Sequence, residues 1–456
     1  MREPLSHAVL EDLHEKTLDL LSRWGVSFED EDALEFFRAR GCLVTESRVR
    51  FPQKIVEQAL GSVPAAFWVS ARSAERDFGV GEGYPQAYGP GAGMSLLLDH
   101  DGNVRDATTA DMDAFLKLAH TSKYCSVSAA GLLYPADLRA DLALHTQLFH
   151  ALLLSDKPLF GLTQDKSYAA DSIAMARIAS DQRDNVCMGV VNSRSPLAWD
   201  GAALGSMRVF AEERQPLVVA ACAMSGLTSH VSLSGTLVST NAELLSGIVY
   251  MQLLSPGTPV IYGNTSAISD MATLAIAIGA PETTLLAAAT AQIARRYRIP
   301  CRTGGALCDS SLVDMQAGIE SGFNLLGTVL SDADFVLQSL GVMQGFLSLS
   351  FEKWLIDEEI LDHAHRISRG IDAPCPALVD EIIAAVSDKY RFLGHESTVE
   401  RFRNEFLIPV LSVRGNAADC SIIDAAAKLR GKRLAEYECP ALPADAENAL
   451  RQYVYN

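Results

Sequence analysis

From about residue 85 onward, short apolar runs rich in β-branched residues alternate with longer stretches of helical periodicity. The runs that predict strands are residues 86–89, 126–133, 158–162, 185–191, 216–221, 259–263, 300–304 and 334–339. They are continuously apolar rather than alternating, as parallel strands covered on both faces should be. Pro158, Pro216, Pro259 and Pro300 stand at strand starts, where a missing N–H matters least. Between the runs, residues 111–121 follow Thr108-Thr109 and place Met112, Phe115, Leu116 and Ala119 on one helical face. Residues 282–296 open after Pro281 and close on Arg295-Arg296, matching helix-end preferences. Residues 241–254, 311–330, 351–367 and 377–385 carry further helical patterns.

This rhythm of eight strand–helix units predicts an α/β fold of the (β/α)8 or TIM-barrel type over residues 85–370. A doubly wound open sheet is the competing architecture. Against it, neither a G-x-G-x-x-G nor a G-x-x-x-x-G-K-[ST] follows the first strand, and the run 89–93 (GPGAG) carries a proline where a phosphate cradle would need a helix start. Residues 1–84 read as an N-terminal helical extension, with leucines at 10, 13, 18, 20 and 21 and a hairpin pattern over 44–51. Asp101-Gly102, between apolar stretches, predicts a β-hairpin inserted after the first strand. Residues 371–456 read as a C-terminal helical segment packed on the barrel or on a partner subunit.

Composition narrows the function. The 456 residues hold 38 Lys+Arg against 56 Asp+Glu, a net charge of −18, which excludes the basic footprint that nucleic-acid binding needs. At 48% hydrophobic and 21% charged, the chain can bury a large core and is not a disordered one. Nine scattered cysteines without C-x-x-C pairs suit a reducing, cytoplasmic setting. No secretory signal or membrane-spanning run is visible.

In a barrel, chemistry sits where the strands end. Those positions are Tyr88, Tyr134, Gln164, Asn192, Met224, Tyr262 with Asn264, Arg302 with Thr303, and Gln338, with Phe346 in the last loop. Tyr88, Tyr134, Tyr262 and Phe346 suggest an aromatic receptor for a quaternary ammonium group, with core or lip packing as the alternative. Arg302 could pair with a substrate carboxylate or with Asp309. Cys222, Cys301 and Cys308 could hold zinc, although their spacing matches no recognised zinc pattern. No His cluster is visible, Asp362-His363-Ala364-His365 reads as surface, and there is no G-x-S-x-G elbow. The chain therefore offers no nucleophile–base pair and would position a substrate for a nucleophile carried elsewhere.

Several stretches together resemble the trimethylamine methyltransferase superfamily, in the branch without pyrrolysine that includes the glycine betaine:corrinoid methyltransferases. They are 14–30, 88–91 (YGPG), 105–109, 192–200 (NSRSPLAWD), 241–243, 262–263, 279–282 (GAPE), 302–309, 316–318 and 392–396 (FLGHE), in order over about residues 10–410. The resemblance implies a (β/α)8 barrel that moves a methyl group from a quaternary amine to the cob(I)alamin of a separate corrinoid protein, with no tightly bound cofactor of its own. It implies that Arg302 holds a substrate carboxylate and that Phe346, in the loop after the last strand, faces the methyl groups; Tyr88, Tyr134, Asn192, Tyr262, Asn264 and Gln338 are expected to bind substrate from their places at the strand ends. Gln338 departs from the His expected in glycine betaine-type members, which leaves carnitine, butyrobetaine and proline betaine open as substrates. A betaine-binding barrel without methyl transfer and a zinc-activated methyltransferase are the alternatives. A homo-oligomer is expected.

Overall fold

Eight parallel strands form the centre of the molecule. They are β1 (Ala87–Tyr88), β2 (Ser128–Ala129), β3 (Leu159–Phe160), β4 (Cys187–Asn192), β5 (Leu217–Ala221), β6 (Val260–Asn264), β7 (Cys301–Gly304) and β8 (Phe335–Leu337). In this computed structural model, which describes residues 2–140, 142–387, 391–415 and 421–455, they lie in the order 1-8-7-6-5-4-3-2. Every pairing along the sheet is parallel. The ring closes between its ends: Tyr88 bridges Cys125 just ahead of β2, and the Ser126 N–H donates to the Tyr88 carbonyl at 2.7 Å. The sheet is the barrel that the strand–helix rhythm predicts.

Each strand leads to a helix: α1 (Thr109–Thr121), α2 (Ala143–Leu153), α3 (Lys166–Ala179), α4 (Gly201–Glu212), α5 (Leu233–Leu254), α6 (Pro281–Tyr297), α7 (Met315–Leu330) and α8 (Phe351–Arg369). Their starts follow local chemistry. Thr108 and Asp111 form a reciprocal capping box on α1, and Pro281 opens α6. Two starts differ from the sequence pattern. Ser232 caps α5, which therefore begins eight residues before the predicted 241. Asp314 caps α7, because Asp309 instead accepts the backbone N–H groups of Ile278 and Gly279. The second predicted strand shrinks to Ser128–Ala129, since Gly131 at φ +71° turns the chain and Leu133 bridges Met94 over the barrel end.

The N-terminal residues cover the outer side of α5. Helices His7–Arg23 and Gln53–Leu60 pack on it, so α5 is buried around most of its circumference and shows no amphipathic stripe. Strand Val26–Phe28 pairs in parallel with Ala198–Trp199 from the β4–α4 loop. At the other end, Ile422–Ala435 packs on α8 and α1, and Ala444–Tyr455 packs on α2 and α3. Arg433 donates to Glu358 at 2.6 Å and to the Leu118 carbonyl at 2.9 Å. Between these, helix Leu378–Ser387 buries only Ala385 and leaves Val379 and Ile383 exposed. His365 on α8 is half-buried rather than on the surface, stacked on Tyr124. Among the described residues no helix is long and apolar enough to cross a membrane.

Candidate active site

Loops from the C-terminal strand ends build the mouth. The β1 loop carries the antiparallel hairpin Leu96–Leu98 and Val104–Asp106 predicted from Asp101-Gly102. It joins the β8 loop, where Ser348–Leu349 pairs in parallel with Leu96–Leu97. The β5 and β6 loops meet through Met224–Ser225 and Ala267–Ser269. The β4 loop is fastened by Glu243 of α5. Its buried carboxylate accepts from Ser193 at 2.5 Å, Ser195 at 2.8 Å and the Leu197 N–H at 2.8 Å. Burial raises its pKa, opposed by these hydrogen bonds.

Inside the ring, a cavity of about 360 Å³ opens between the β2, β3, β4 and β8 ends. Tyr134 and Phe160 supply aromatic walls, Gln164, Asn192 and Gln338 supply amides, and Asp200 is the one charged residue among the described lining. Gln164 donates to the Tyr134 hydroxyl at 2.7 Å. Phe160 lies 6.1 Å from Phe335 across the barrel. Among the described residues lining the cavity there is no Ser, Cys, His or Lys.

Arg302 stands one layer behind this cavity. Its side chain points into the barrel, is 1% exposed, and does not line the cavity. Nη1 donates to Thr265 Oγ1 at 3.1 Å and Nη2 to Gln338 Oε1. Nε has no partner. No carboxylate of the described residues pairs with the guanidinium, and Asp309 is engaged elsewhere. Burial, eased by nearby Cys222, brings its pKa down to about 10, so it remains cationic at neutral pH. Gly305 makes the juxtaposition possible: a Cβ there would meet Ser339 Cα at 2.8 Å, so the ends of β7 and β8 can approach only around a glycine.

The structure thus gathers Tyr134, Gln164, Asn192, Gln338 and, behind them, Arg302. It corrects the rest of the expected aromatic mouth. Tyr88 turns outward, its hydroxyl 2.8 Å from His365 Nε2 on α8. Tyr262 also turns outward and donates to Asn241 Oδ1 on α5 at 2.9 Å. Alternate residues of a strand face opposite sides, and in β6 and β1 the tyrosines take the helix side. Asn264 is turned to Thr240 of α5 and to the Ser266 N–H. Phe346, at φ +74°, packs with Ile276 on Ala267, Ile278 and Leu307 instead of lining the cavity. Phe160 and Asp200 were not singled out from sequence. Phe160 sits mid-run in an apolar strand, and Asp200 reads as a helix cap, which it also is.

The three cysteines do not fit a metal. Cys222 approaches the Thr265 carbonyl, Cys301 lies buried in β7 next to Asp334, and Cys308 packs with Leu98, Ala317 and Met343. Among the described residues no three His, Cys, Asp or Glu side chains come together as a metal group.

The family model of trimethylamine methyltransferase matches residues 1–456. The chain belongs to that family. It is 35% identical to the glycine betaine methyltransferase of Desulfitobacterium hafniense strain Y51, over 99% of this chain and 96% of that one. It is 32% identical to the proline betaine:corrinoid methyltransferase of Eubacterium limosum, over 97% and 95% of the two chains. For the L-carnitine:corrinoid methyltransferase of the same organism the identity is 31%, over 97% and 94%. Among solved structures, the Methanosarcina barkeri monomethylamine methyltransferase superimposes with a TM-score of 0.51 at 10% identity, covering 98% of this chain and 86% of that one. That likeness concerns the fold alone.

Proposed function

We propose that this protein moves a methyl group from a carboxylated quaternary ammonium compound to a cob(I)alamin carried by a separate corrinoid protein. The observation that carries the reading is Arg302, a buried cation at the inner end of the mouth with no carboxylate among the described residues to pair with. A buried charge needs a partner, and a substrate carboxylate would supply one bidentately. In the cavity lining, Asp200, Tyr134 and Phe160 suit a trimethylammonium group, through opposite charge and aromatic faces. Together with Arg302 they complement a zwitterion. The three relatives above, whose names specify betaines and carnitine, support this substrate class.

Among the described residues the lining has no Ser, Cys, His or Lys, which accords with an acceptor that supplies the nucleophile. The electron pair of the broken C–N bond stays with the departing neutral tertiary amine, so no general acid is required. What the chain contributes is fixed orientation of the methyl group and exclusion of water. The test is direct. The purified protein is mixed with a reduced corrinoid protein and with glycine betaine, carnitine or proline betaine. Methylated acceptor and demethylated amine should appear in equal amounts with at least one of them. Calorimetric binding with no transfer to any acceptor would leave a betaine-binding barrel instead.

A further inference from the structure

The outer wall of the barrel over α7 and α8 leaves an unusual amount of apolar surface open. On α7, Met315, Ile319 and Phe323 recur every four residues and are 81%, 51% and 66% exposed. Beside this stripe a groove of about 270 Å³ runs between Gly322 and Leu326 of α7 and Ile360 and Ile367 of α8. Ser412 and Ile422 border it. There Glu359 of α8 accepts the N–H groups of Val410, Leu411 and Ser412, and the side chains of Ile408, Val410 and Ile422 stay exposed.

Helix Leu378–Ser387 shows the same excess. Val379, Ile382, Ile383 and Val386 stand at i, i+3, i+4 and i+7, the stripe by which a helix packs, and all four are exposed. Apart from Ala385, its attachment is polar. Arg401 donates to both carboxylate oxygens of Glu381 at 2.9 Å. The helix that carries Arg401, Glu396–Glu405, is tied to the end of α8 by Arg366, which donates to the Glu405 carbonyl at 2.9 Å. A helix of 10 residues is marginal in water unless its apolar face is covered.

The ten side chains named on α7, the helix and the groove border leave open on the order of 100 Å² each, about half of what a large side chain can bury. The face thus presents on the order of 1,000 Å², more than the few hundred a monomer usually exposes and enough for the roughly 800 Å² per partner of a stable complex. Charge selects the occupant. Residues 366–414 hold seven Lys+Arg and seven Asp+Glu, in a chain of net charge −18. Two copies of so acidic a chain repel one another, and a balanced face is where they can meet. A protein that takes the methyl group has to reach the mouth instead. The foot of α8 lies at the other end of the barrel, where His365 and Ser368 share a cleft with Pro85 and Pro300 at the entrances of β1 and β7.

We propose that this wall is a homodimer interface, in which helix Leu378–Ser387 of each copy lays its apolar stripe into the α7–α8 groove of the other. The pairing is reciprocal, as a two-fold contact requires, and uses the helix-in-groove mode of recognition. It does not depend on what the mouth binds.

Sedimentation equilibrium and hydrogen exchange on the full chain test this. The native protein should sediment as a dimer, or as a larger even-numbered assembly, at micromolar concentration, with slow exchange over residues 379–386. Phe323→Glu on α7 and Ile383→Glu on the helix should each weaken association at least about 30-fold, the scale of a hot-spot side chain, and halve the mass. Both positions are exposed, so a cooperative melt should show each variant folded. Phe323→Glu should also release exchange over residues 379–386, a readout that a change confined to α7 would not move. A native monomer, or an assembly whose mass survives either substitution, overturns the proposal. Exchange over residues 379–386 that stays slow in monomeric Phe323→Glu overturns the helix-in-groove pairing as well.

Discussion

Replacing Arg302 by methionine separates the binding site from the scaffold. The guanidinium makes hydrogen bonds to Thr265 and Gln338, and its Nε makes none. Losing those two bonds removes about 1 kcal/mol each, while relieving a desolvated, unpaired donor returns about 1–3 kcal/mol. The two nearly cancel, leaving at most about 1 kcal/mol either way, so Arg302→Met should shift the melting temperature by no more than about 4 °C, taking about 2–4 °C per kcal/mol as an upper scale. Ligand binding should respond very differently. Truncating one member of a buried charge pair is worth about 2–5 kcal/mol, or roughly 30- to 5,000-fold in Kd for glycine betaine. Calorimetry for binding and scanning calorimetry for stability measure both on the same samples. Native binding should be flat from about pH 6 to pH 9 as far as Arg302 is concerned. It should weaken as pH rises through about 10, where burial places the loss of the guanidinium proton. A melting temperature lowered by many degrees with betaine affinity intact would refute the reasoning, because Arg302 would then be a structural group.

Three other perturbations probe the surroundings of the site. Asp334, whose carboxylate accepts the Cys301 N–H at 2.7 Å, has its pKa pushed up to about 6 by burial. The native state then holds its proton more tightly than the unfolded chain, so this group's contribution to stability falls as pH rises from about 4 through 6. Asp334→Asn should therefore gain in melting temperature relative to the native protein as pH rises from about 4 through 6, and a constant difference over that range would contradict it. Glu243→Ala should cost about 3 kcal/mol, speed hydrogen exchange at Leu197 and lower kcat/KM, since it frees the β4 loop; slow exchange there would show that another contact holds the loop. Val231 and Met271 are 70% and 65% exposed on the β5 and β6 loops beside the mouth. Met271→Asp should raise the KM for the corrinoid protein about tenfold and leave betaine affinity unchanged, and an unchanged KM would place the docking contact elsewhere.

The barrel was legible because its signal is repeated eight times and each repeat obeys the same physics: an apolar run long enough for one buried strand, then a capped helix. The predicted strands at 216–221, 259–263 and 300–304 lie within a residue of Leu217–Ala221, Val260–Asn264 and Cys301–Gly304. The site was legible where chemistry alone singled a residue out, as with Arg302 in a neutral strand. It was not legible where the side of a strand decided the matter. Tyr88 and Tyr262 stand at strand ends like Tyr134, and only the pleat, seen in their bonds to His365 and Asn241, sends them to the helices. Phe160 shows the converse: an unremarkable core residue in sequence, it becomes a cavity wall with its ring beside Phe335.

The pairing of Ser348–Leu349 with Leu96–Leu97 closes the mouth with strands about 250 residues apart in the chain, and Val26–Phe28 meets Ala198–Trp199 across another long span. Contacts of such separation carry a loop-closure entropy that is recovered only when most of the chain has collapsed. The mouth is consequently complete only when the residues around β8 have joined the sheet. A nascent chain lacking β8 has neither Gln338 nor the strand that shelters Arg302. Ligand binding therefore reports complete folding, and a betaine that binds only the finished mouth would stabilise the native state by mass action while doing nothing for its precursors.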